Sequence, residues 1–322
     1  MADSSSIEWT DATWNPVTGC TRVSPGCAHC YIERTPPFRI AGRRFEMVDG
    51  VSTTGVRLHP DRLEQPLHWR KPRRVFVCSL ADLFHDEVPD YFIRDVLGVI
   101  ACAPEHTFQI LTKRPERALE LLGDRNAPVL CARQAAGRGL ALDHHFDRWP
   151  LPNVWVGVSI ENARYTWRAD ALREIPAAVR FISAEPLLGT LFPETFECPR
   201  CEGQRYDRGS CALCGNRGRL DDRGGRDRMP LDLTSIDWVI VGGESGPGAR
   251  PFHLEHAREI LRSRAARVWR SPPAIFVKQL GARPVHDHPI GRYPLALRDR
   301  KGGDMDEWPP DLRVREFPAV VS

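Results

Sequence analysis

Seven of the ten cysteines in this 322-residue chain stand in two groups whose spacing suits metal binding. The first group is Cys20, Cys27 and Cys30, and the second is made of two Cys-x-x-Cys pairs, Cys198/Cys201 and Cys211/Cys214. Ten cysteines are too few for a disulfide-built scaffold, and a chain of this length can bury a core without disulfides. Clustered thiols in such a chain are better explained as metal ligands.

The second group predicts a structural zinc site. Nine residues separate the two Cys-x-x-Cys pairs, and four thiolates complete a closed tetrahedral shell around one Zn²⁺. Redox-active dithiols or a second iron–sulfur cluster are the alternatives. Several arginines lie around these cysteines, so the ribbon either contacts nucleic acid or only folds an insertion that has too little core.

The first group predicts a metal centre with an open position. Three thiolates can hold three irons of a [4Fe–4S] cluster and leave the fourth iron free for a small molecule. A zinc site of three cysteines and His29 is the alternative. Its geometry is poor because His29 adjoins Cys30 in the chain.

The elements that would position these groups follow an α/β pattern. Short apolar runs rich in β-branched and aromatic residues alternate with helix-compatible segments, which is typical of buried parallel strands with helical crossovers. An opening strand is expected near residues 13–18, and helices over 91–102 and 115–122. The six later runs are 75–80, 107–111, 154–159, 179–183, 238–241 and 274–278. About seven βα units favour a complete or partial TIM-like (β/α) barrel with a zinc-ribbon insertion over an open doubly wound sheet.

The predicted organisation is one barrel interrupted by insertions. Its first part spans 1–191, with an insertion at about 126–152. The zinc ribbon occupies 192–233, and the last part of the barrel and a C-terminal tail span 234–322.

The net charge of +3 is small for a chain of this length, so it does not indicate which kind of partner the protein binds. No secretory signal pattern or membrane-length apolar run is present, so we expect a cytoplasmic protein without a membrane partner.

The motifs resemble a known superfamily. Three cysteines after a first strand, at the head of a βα-repeat barrel, are similar to the radical S-adenosylmethionine (radical SAM) superfamily. In more detail the chain resembles an uncharacterised phage- and bacteria-borne family of three-cysteine proteins over about residues 9–280. The segments that carry this resemblance are WNPVTGC (14–20), GCAHCY (26–31), LTKRP (111–115), SAEPL (183–187) and VGGESG (241–246).

The resemblance implies two cofactors and assigns residues to them. Cys20, Cys27 and Cys30 would ligate a [4Fe–4S] cluster, and S-adenosylmethionine (SAM) would chelate its open iron. Reductive cleavage of SAM would give a 5′-deoxyadenosyl radical that abstracts hydrogen from the substrate. His29 would lie near the adenine, and Ser159 would meet the ribose or the methionyl carboxylate, unless it simply ends a strand. An external electron donor such as flavodoxin or ferredoxin is implied.

Two features depart from the superfamily pattern. Six residues separate Cys20 from Cys27, where three are usual. The Gly-Gly-Glu that commonly follows the second strand is absent there, and Asp82 would accept from the SAM ammonium instead. A Gly-Gly-Glu occurs later, at 242–244, where Gly242, Gly243 and Glu244 are expected to face adenosine or substrate. Glu185, at another strand end, is a further predicted contact.

The leading hypothesis is a radical SAM enzyme that modifies or repairs DNA or RNA. The basic ribbon, the basic stretch 70–74 and the phage-associated family motivate this substrate, and Lys113 and Arg114 are candidate contacts to an anionic group. A protein or small metabolite is the alternative substrate. From a different class comes a non-catalytic nucleic-acid-binding protein in which both groups hold zinc.

Overall fold

A computed structural model describes residues 5–140, 146–192, 195–197, 219–221, 231–265, 272–288 and 291–319. The chain forms two compact units. The first comprises Met1–Ser159 and Ala171–Phe181, and the second comprises Ile160–Asp170 and Ile182–Ser322.

Within the described residues, the first unit holds eight strands and four α-helices. The strands are β1 Ala12–Trp14, β2 Val17–Thr18, β3 Glu46–Val48, β4 Val51–Thr53, β5 Arg57–Leu58, β6 Arg74–Val77, β7 Thr107–Thr112 and β8 Val154–Ser159. The helices are α1 Pro36–Ile40, α2 Asp90–Ala101, α3 Pro115–Leu122 and α4 Ala127–Gly137. One further helix and one strand contain residues of both units: α5 Trp167–Glu174 and β9 Val179–Ala184.

The remaining elements belong to the second unit. Its strands are β10 Thr195–Glu197, β11 Arg219–Asp221, β12 Trp238–Gly242, β13 Phe252–His253, β14 Ala274–Gln279, β15 Pro284–His288 and β16 Gly291–Pro294. Its helix is α6 Leu254–Ala265. Strands β13, β15 and β16 form a small sheet in that order.

The chain is a mixed α/β protein built on a seven-stranded sheet. Its strand order is β1-β6-β7-β8-β9-β12-β14. Strands β1, β6, β7 and β8 pair in parallel in the first unit, as do β12 and β14 in the second. Every residue of β8 and of β12 is buried, and for this reason the sequences of both strands are almost continuously apolar.

Helix α2, which lies between β6 and β7 in the chain, packs on helix α4. It begins after Pro89, buries nine of its twelve residues and lies against α4. A Cβ atom on Gly98 would come within 3.3 Å of the Ala135 Cβ, so the absence of a side chain lets these two helices approach closely. Cys131, on the facing helix, is 1 % exposed and packs as a small apolar group.

The strand predictions are confirmed at all six apolar runs, and the two predicted helices are α2 and α3. The segment 126–152, expected to be a loop insertion, contains helix α4.

The four cysteines predicted to form the zinc ribbon lie outside the described residues: Cys198, Cys201, Cys211 and Cys214. Strands β10 and β11, which flank them in the chain, pair antiparallel. Among the described helices, none is long and apolar enough to cross a membrane.

Candidate functional site

The loop that carries the first cysteine is fixed by backbone contacts at the end of β2. Gly19 has φ of 98°, and a Cβ there would lie 1.8 Å from the Gly55 carbonyl oxygen, so only glycine fits. The Cys20 amide donates to the Thr54 hydroxyl at 3.0 Å, and the Thr54 amide donates to the Cys20 carbonyl at 3.0 Å. Cys20 is therefore held in place before any ligand binds.

The other two cysteines lie on a tight turn. A single 3-10 turn spans Pro25–Cys27, and the Cys30 amide donates to the Cys27 carbonyl at 3.3 Å. The Ser24 hydroxyl lies 3.8 Å from the Cys27 sulfur. All three thiols are half-buried, whereas His29 is exposed. Cys27 ends the 3-10 turn, and Cys30 follows it by three residues.

Burial governs the acidity of these thiols. Burial, followed by the charge of the Asp82 carboxylate, raises the pKa of Cys20 to about 12, and the Arg114 guanidinium opposes this rise. Burial also raises the pKa of Cys30, and the charge of Cys27 adds to the effect. Both thiols are therefore less acidic than that of an exposed cysteine.

The donor set of this group suits a metal cluster. The donors are three thiols, which favour iron–sulfur ligation over binding of the hard cations that prefer oxygen ligands. In the part of the chain that the structure describes, no three Cys, His, Asp or Glu side chains stand close enough together to hold a metal ion as they are placed. Ligation of one metal centre by these three thiols would require them to converge further.

Asp82 organises the neighbouring strand end. It is 5 % exposed and accepts four hydrogen bonds. Oδ1 accepts from the Thr112 hydroxyl at 2.7 Å and from the Phe84 amide at 3.1 Å. Oδ2 accepts from the Lys113 amide at 3.0 Å and from Arg114 Nη1 at 3.1 Å. A SAM ammonium at Asp82 would have to share these oxygens with their protein donors.

Arg114 links this carboxylate to the cysteine loop. Its Nη1 lies 4.0 Å from the Cys20 sulfur, and its Nη2 donates to the Thr21 carbonyl at 3.5 Å. Burial acts to lower the pKa of Arg114, but the negative charges of Asp82 and Cys20 raise it overall. The guanidinium is therefore a fixed positive charge beside the first thiol.

His85 is a part of this network that sequence reasoning missed. Its ring is 3 % exposed, and Nδ1 accepts from the Glu87 amide at 3.1 Å. The neutral ring therefore carries its proton on Nε2, which donates to the Thr21 hydroxyl at 2.8 Å. Thr21 in turn donates to Thr53 at 3.1 Å. Burial, followed by the charge of Arg114, lowers the pKa of His85.

The chain turns sharply after β6, where the Ala81 amide donates to the Cys78 carbonyl at 3.0 Å. Cys78 is buried with φ of 57°, a left-handed conformation that a residue with a side chain seldom adopts. The Asn15 side-chain oxygen accepts from the Leu80 amide at 2.9 Å and from the Ser79 hydroxyl at 3.2 Å. The Tyr31 hydroxyl donates to the Ser79 carbonyl. This turn is therefore tied both to β1 and to the residue after the last cysteine.

A second group of candidate residues lies in the second unit. Glu185, immediately after β9, accepts a hydrogen bond from Lys278 Nζ at 2.6 Å, and both side chains are 17 % exposed. A Cβ on Gly242 would lie 3.2 Å from the Glu185 carboxyl carbon. Glu185 thus rests on the end of β12 and is bound from β14. No role was predicted for Lys278 from the sequence, although a lysine near the end of an apolar strand indicates a candidate site residue.

The late Gly-Gly-Glu has structural contacts of its own. A Cβ on Gly243 would lie 2.5 Å from the Leu280 carbonyl oxygen, so glycine is needed for close packing. Both carboxylate oxygens of Glu244 accept from Arg250, through its amide, Nε and Nη2. These contacts account for Gly243 and Glu244 without a ligand, and their predicted roles toward adenosine stay predictions.

Two further strand ends carry buried polar groups. Ser159 ends β8 and is 2 % exposed, so it has little surface to offer a ligand as placed. In the second unit, Glu161 accepts from Arg168 at 3.2 Å, with side-chain exposures of 0 % and 2 %. Arg168 also lies over the Tyr165 ring at 4.4 Å. This pair was not predicted from the sequence.

The structure brings some predicted site residues together and separates others into different units. In the first unit Cys20, Asp82 and Arg114 form one connected group. In the second unit Glu185 contacts Gly242, while Glu244 is bound to Arg250.

Comparison with known proteins gives a family but no activity. No curated protein and no solved structure matches the chain. A model of the family described as "Protein of unknown function (DUF5131)" matches residues 4–302. Because this match covers nearly the whole sequence, the chain belongs to the DUF5131 family.

Proposed function

We propose that this protein is a radical SAM enzyme acting on nucleic acid. The observation that carries the proposal is the group of three half-buried thiols on one loop at the end of the first strands, with a buried arginine beside the first of them. Such a group offers only soft ligands, and three of them leave one iron of a [4Fe–4S] cluster open. When bound, the cluster and SAM supply reductive cleavage of SAM to a 5′-deoxyadenosyl radical.

The residues of the chain have separate tasks in this proposal. Cys20, Cys27 and Cys30 hold the cluster. Arg114 places a positive charge next to Cys20 and so favours its thiolate form, which is the form that binds metal. Asp82 fixes Arg114 through a charged hydrogen bond. His85, through Thr21, holds the segment that follows Cys20.

The finer fold assignment belongs to the same proposal. The seven-stranded sheet is taken as part of a TIM-like barrel, in which functional groups gather at the carboxyl ends of the strands. Asp82, Arg114 and Glu185 follow such strand ends. The second cysteine group is proposed to hold a structural zinc, with all four thiolates in a closed shell.

Metal analysis of anaerobically purified protein tests the proposal. We expect roughly four irons and one zinc per chain, and cleavage of SAM to 5′-deoxyadenosine on reduction with dithionite. Two zincs and no iron would overturn the proposal and favour the non-catalytic zinc protein. If the protein binds the cluster and cleaves SAM but binds no nucleic acid, the substrate is instead a protein or a small metabolite.

A matched pair of variants localises the two metals. Cys27→Ala is expected to abolish SAM cleavage and cluster binding while the zinc content stays at one. Cys201→Ala is expected to lose the zinc. Cys131→Ala serves as the control, because Cys131 is buried in helix packing, and its iron and zinc should equal those of the wild type.

A further inference from the structure

An arginine-rich segment of the first unit carries the whole positive excess of the chain. Residues 34–57 contain five arginines, no lysine and two acidic residues, an excess of three positive charges. The complete chain also has a net charge of +3, so the remainder is neutral. This segment spans α1, the hairpin of β3 and β4, and the start of β5.

Most of this charge is presented to solvent. Arg34, Arg39, Arg44 and Arg57 are exposed, and their side chains make no hydrogen bond or ion pair within the part of the chain that the structure describes. The fifth arginine, Arg43, is instead used as an anchor. A charge held free of carboxylates keeps its full attraction for a polyanion.

The same segment exposes apolar side chains that folding does not use. Ile40 is 83 % exposed, Met47 69 %, Val48 51 % and Val51 46 %. The last three belong to the β3–β4 hairpin, in which Val48 pairs with Val51 next to the Asp49-Gly50 turn. Every hairpin residue from Glu46 to Val51 is exposed, so the ribbon projects into solvent. Apolar groups exposed in this way indicate a binding surface. The carboxylates of Glu46 and Asp49 lie on the same hairpin, and the exposed arginines lie outside it.

The hairpin is joined directly to the three-cysteine loop. The Arg22 amide donates to the Ser52 carbonyl at 2.9 Å, and Thr21 forms a β-bridge with Thr53. Arg43 reinforces the junction. Its guanidinium donates to the Thr18 hydroxyl at 3.1 Å and to the Thr54 carbonyl at 3.2 Å, and it lies 4.5 Å from the centre of the Phe38 ring. The base of the hairpin is therefore fixed to the loop that carries Cys20.

We propose that residues 34–57 form a nucleic-acid-binding surface, with exposed arginines on the phosphates and the hairpin tip against the bases. Arginine without lysine suits phosphate, because its planar fork makes two parallel hydrogen bonds. The DNA major groove admits a two-stranded ribbon, in which the exposed Met47 and Val48 can contact thymine methyl groups. The inference deepens the proposed function, since it identifies where the substrate of that enzyme is held.

The test is the salt dependence of binding by the full chain. Fluorescein-labelled DNA of about 20 base pairs, its single strand and the matching RNA are titrated while fluorescence anisotropy is recorded. For the duplex, the slope of log K against log salt falls by about 0.9 for each phosphate that the protein no longer neutralises. Arg39→Gln/Arg44→Gln is expected to reduce the slope by about two, and Arg125→Gln/Arg300→Gln, which removes two other exposed arginines, to leave it unchanged.

A second variant tests the tip. Met47→Ser/Val48→Ser is expected to weaken binding about tenfold with an unchanged salt slope, since it removes apolar contact but no charge. Equal slopes for the two arginine double variants would overturn the inference. So would an absence of binding to all three nucleic acids at low salt, or hairpin-dependent binding to phosphatidylserine vesicles in their place.

Iron content and SAM cleavage are measured on the same preparations, which separates the two proposals. Hairpin-dependent binding by a protein without iron would overturn the radical SAM proposal and support this surface. Iron and SAM cleavage without hairpin-dependent binding would overturn this surface alone.

Discussion

The Arg114 guanidinium stands between the Asp82 carboxylate, 3.1 Å away, and the Cys20 sulfur, 4.0 Å away. The side chains of Arg114 and Asp82 are 10 % and 7 % exposed, so the pair lies out of water. The cysteine predicted as a cluster ligand is thus attached, through one arginine, to the end of β6 and the residues that follow β7. The buried Asp82 carboxylate depends on Arg114 for charge compensation.

Removal of Arg114 is therefore expected to destabilise the first unit. Arg114→Gln leaves the Asp82 carboxylate buried without its cation, which costs about 3–5 kcal/mol of the free energy of unfolding. Asp82→Asn/Arg114→Gln is expected to cost less than the sum of the single changes, because neither charge is then left alone. Urea unfolding of the four proteins in the cycle measures this coupling. Additive changes would contradict it, and Arg125→Gln, at an exposed site, controls for the removal of a charge.

The sequence predicts the strands well because their signal is local. The run 154–159 became β8, every residue of which is buried, and a continuous apolar run is sufficient evidence for such a strand. Arg114 and Cys20 are 94 positions apart, and their contact depends on how β2 and β7 pack. No periodicity in the sequence encodes that distance.

The same limit explains the residues that were missed or given another role. His85 carries no motif, and only its burial against Thr21 reveals its task. The Gly-Gly-Glu at 242–244 invites a ligand-binding interpretation, yet the contact of Glu244 with Arg250 and the close approach of Gly243 to Leu280 come from tertiary packing. Solvent exposure is equally hard to predict from sequence: the valines of β3 and β4 are residue types typical of a core, yet the structure leaves them exposed on the hairpin.

Gly157 is expected to be irreplaceable within β8. A Cβ there would lie 2.4 Å from the Phe181 ring, which is fully buried and has no room to retreat. Gly157→Ala should therefore lower the free energy of unfolding by about 1–3 kcal/mol. Gly137→Ala is the matched control: outside its own helix backbone and chain neighbours no atom lies within 4 Å of its Cβ, and at the last residue of α4 the change should leave the free energy of unfolding nearly the same. Urea midpoints measure both, and equal midpoints would contradict the packing argument.

His85 is expected to make stability depend on pH. Its pKa in the folded chain is lowered from 6.5, mainly by burial. The unfolded chain therefore takes up the proton first, and the contribution of His85 is complete above pH 6.5 and is lost as the pH falls through the folded pKa. His85→Gln should be less stable than the wild type at neutral pH and should lose less stability on acidification to about pH 5. Thermal unfolding across this range measures the difference.

His288→Gln is the control for that experiment, because His288 is exposed on β15. His59 and His256 also have pKa values lowered by burial, so they too contribute to the pH dependence of the stability of the wild type. The difference between the wild type and His85→Gln isolates His85. Parallel pH profiles for the two proteins would show that the ring does not stay neutral in the folded chain.

Glu185 offers a test of cofactor binding in the second unit. Its carboxylate lies at the end of β9, packs on Gly242 and is bound by Lys278, so its position is fixed while part of it remains exposed. If it accepts a hydrogen bond from SAM, Glu185→Gln keeps the shape but removes the charge, and the absence of one charged hydrogen bond weakens binding by about tenfold.

Equilibrium dialysis of radiolabelled SAM against reconstituted protein measures this affinity. Lys278→Met should weaken SAM binding less than Glu185→Gln, because it leaves the carboxylate in place and removes only one of its supports. Glu116→Gln, at an exposed position of α3, should bind SAM as the wild type does. If Glu185→Gln binds SAM with the wild-type affinity, Glu185 serves only in the ion pair with Lys278. If Lys278→Met weakens SAM binding more than Glu185→Gln does, the lysine is the group that contacts SAM.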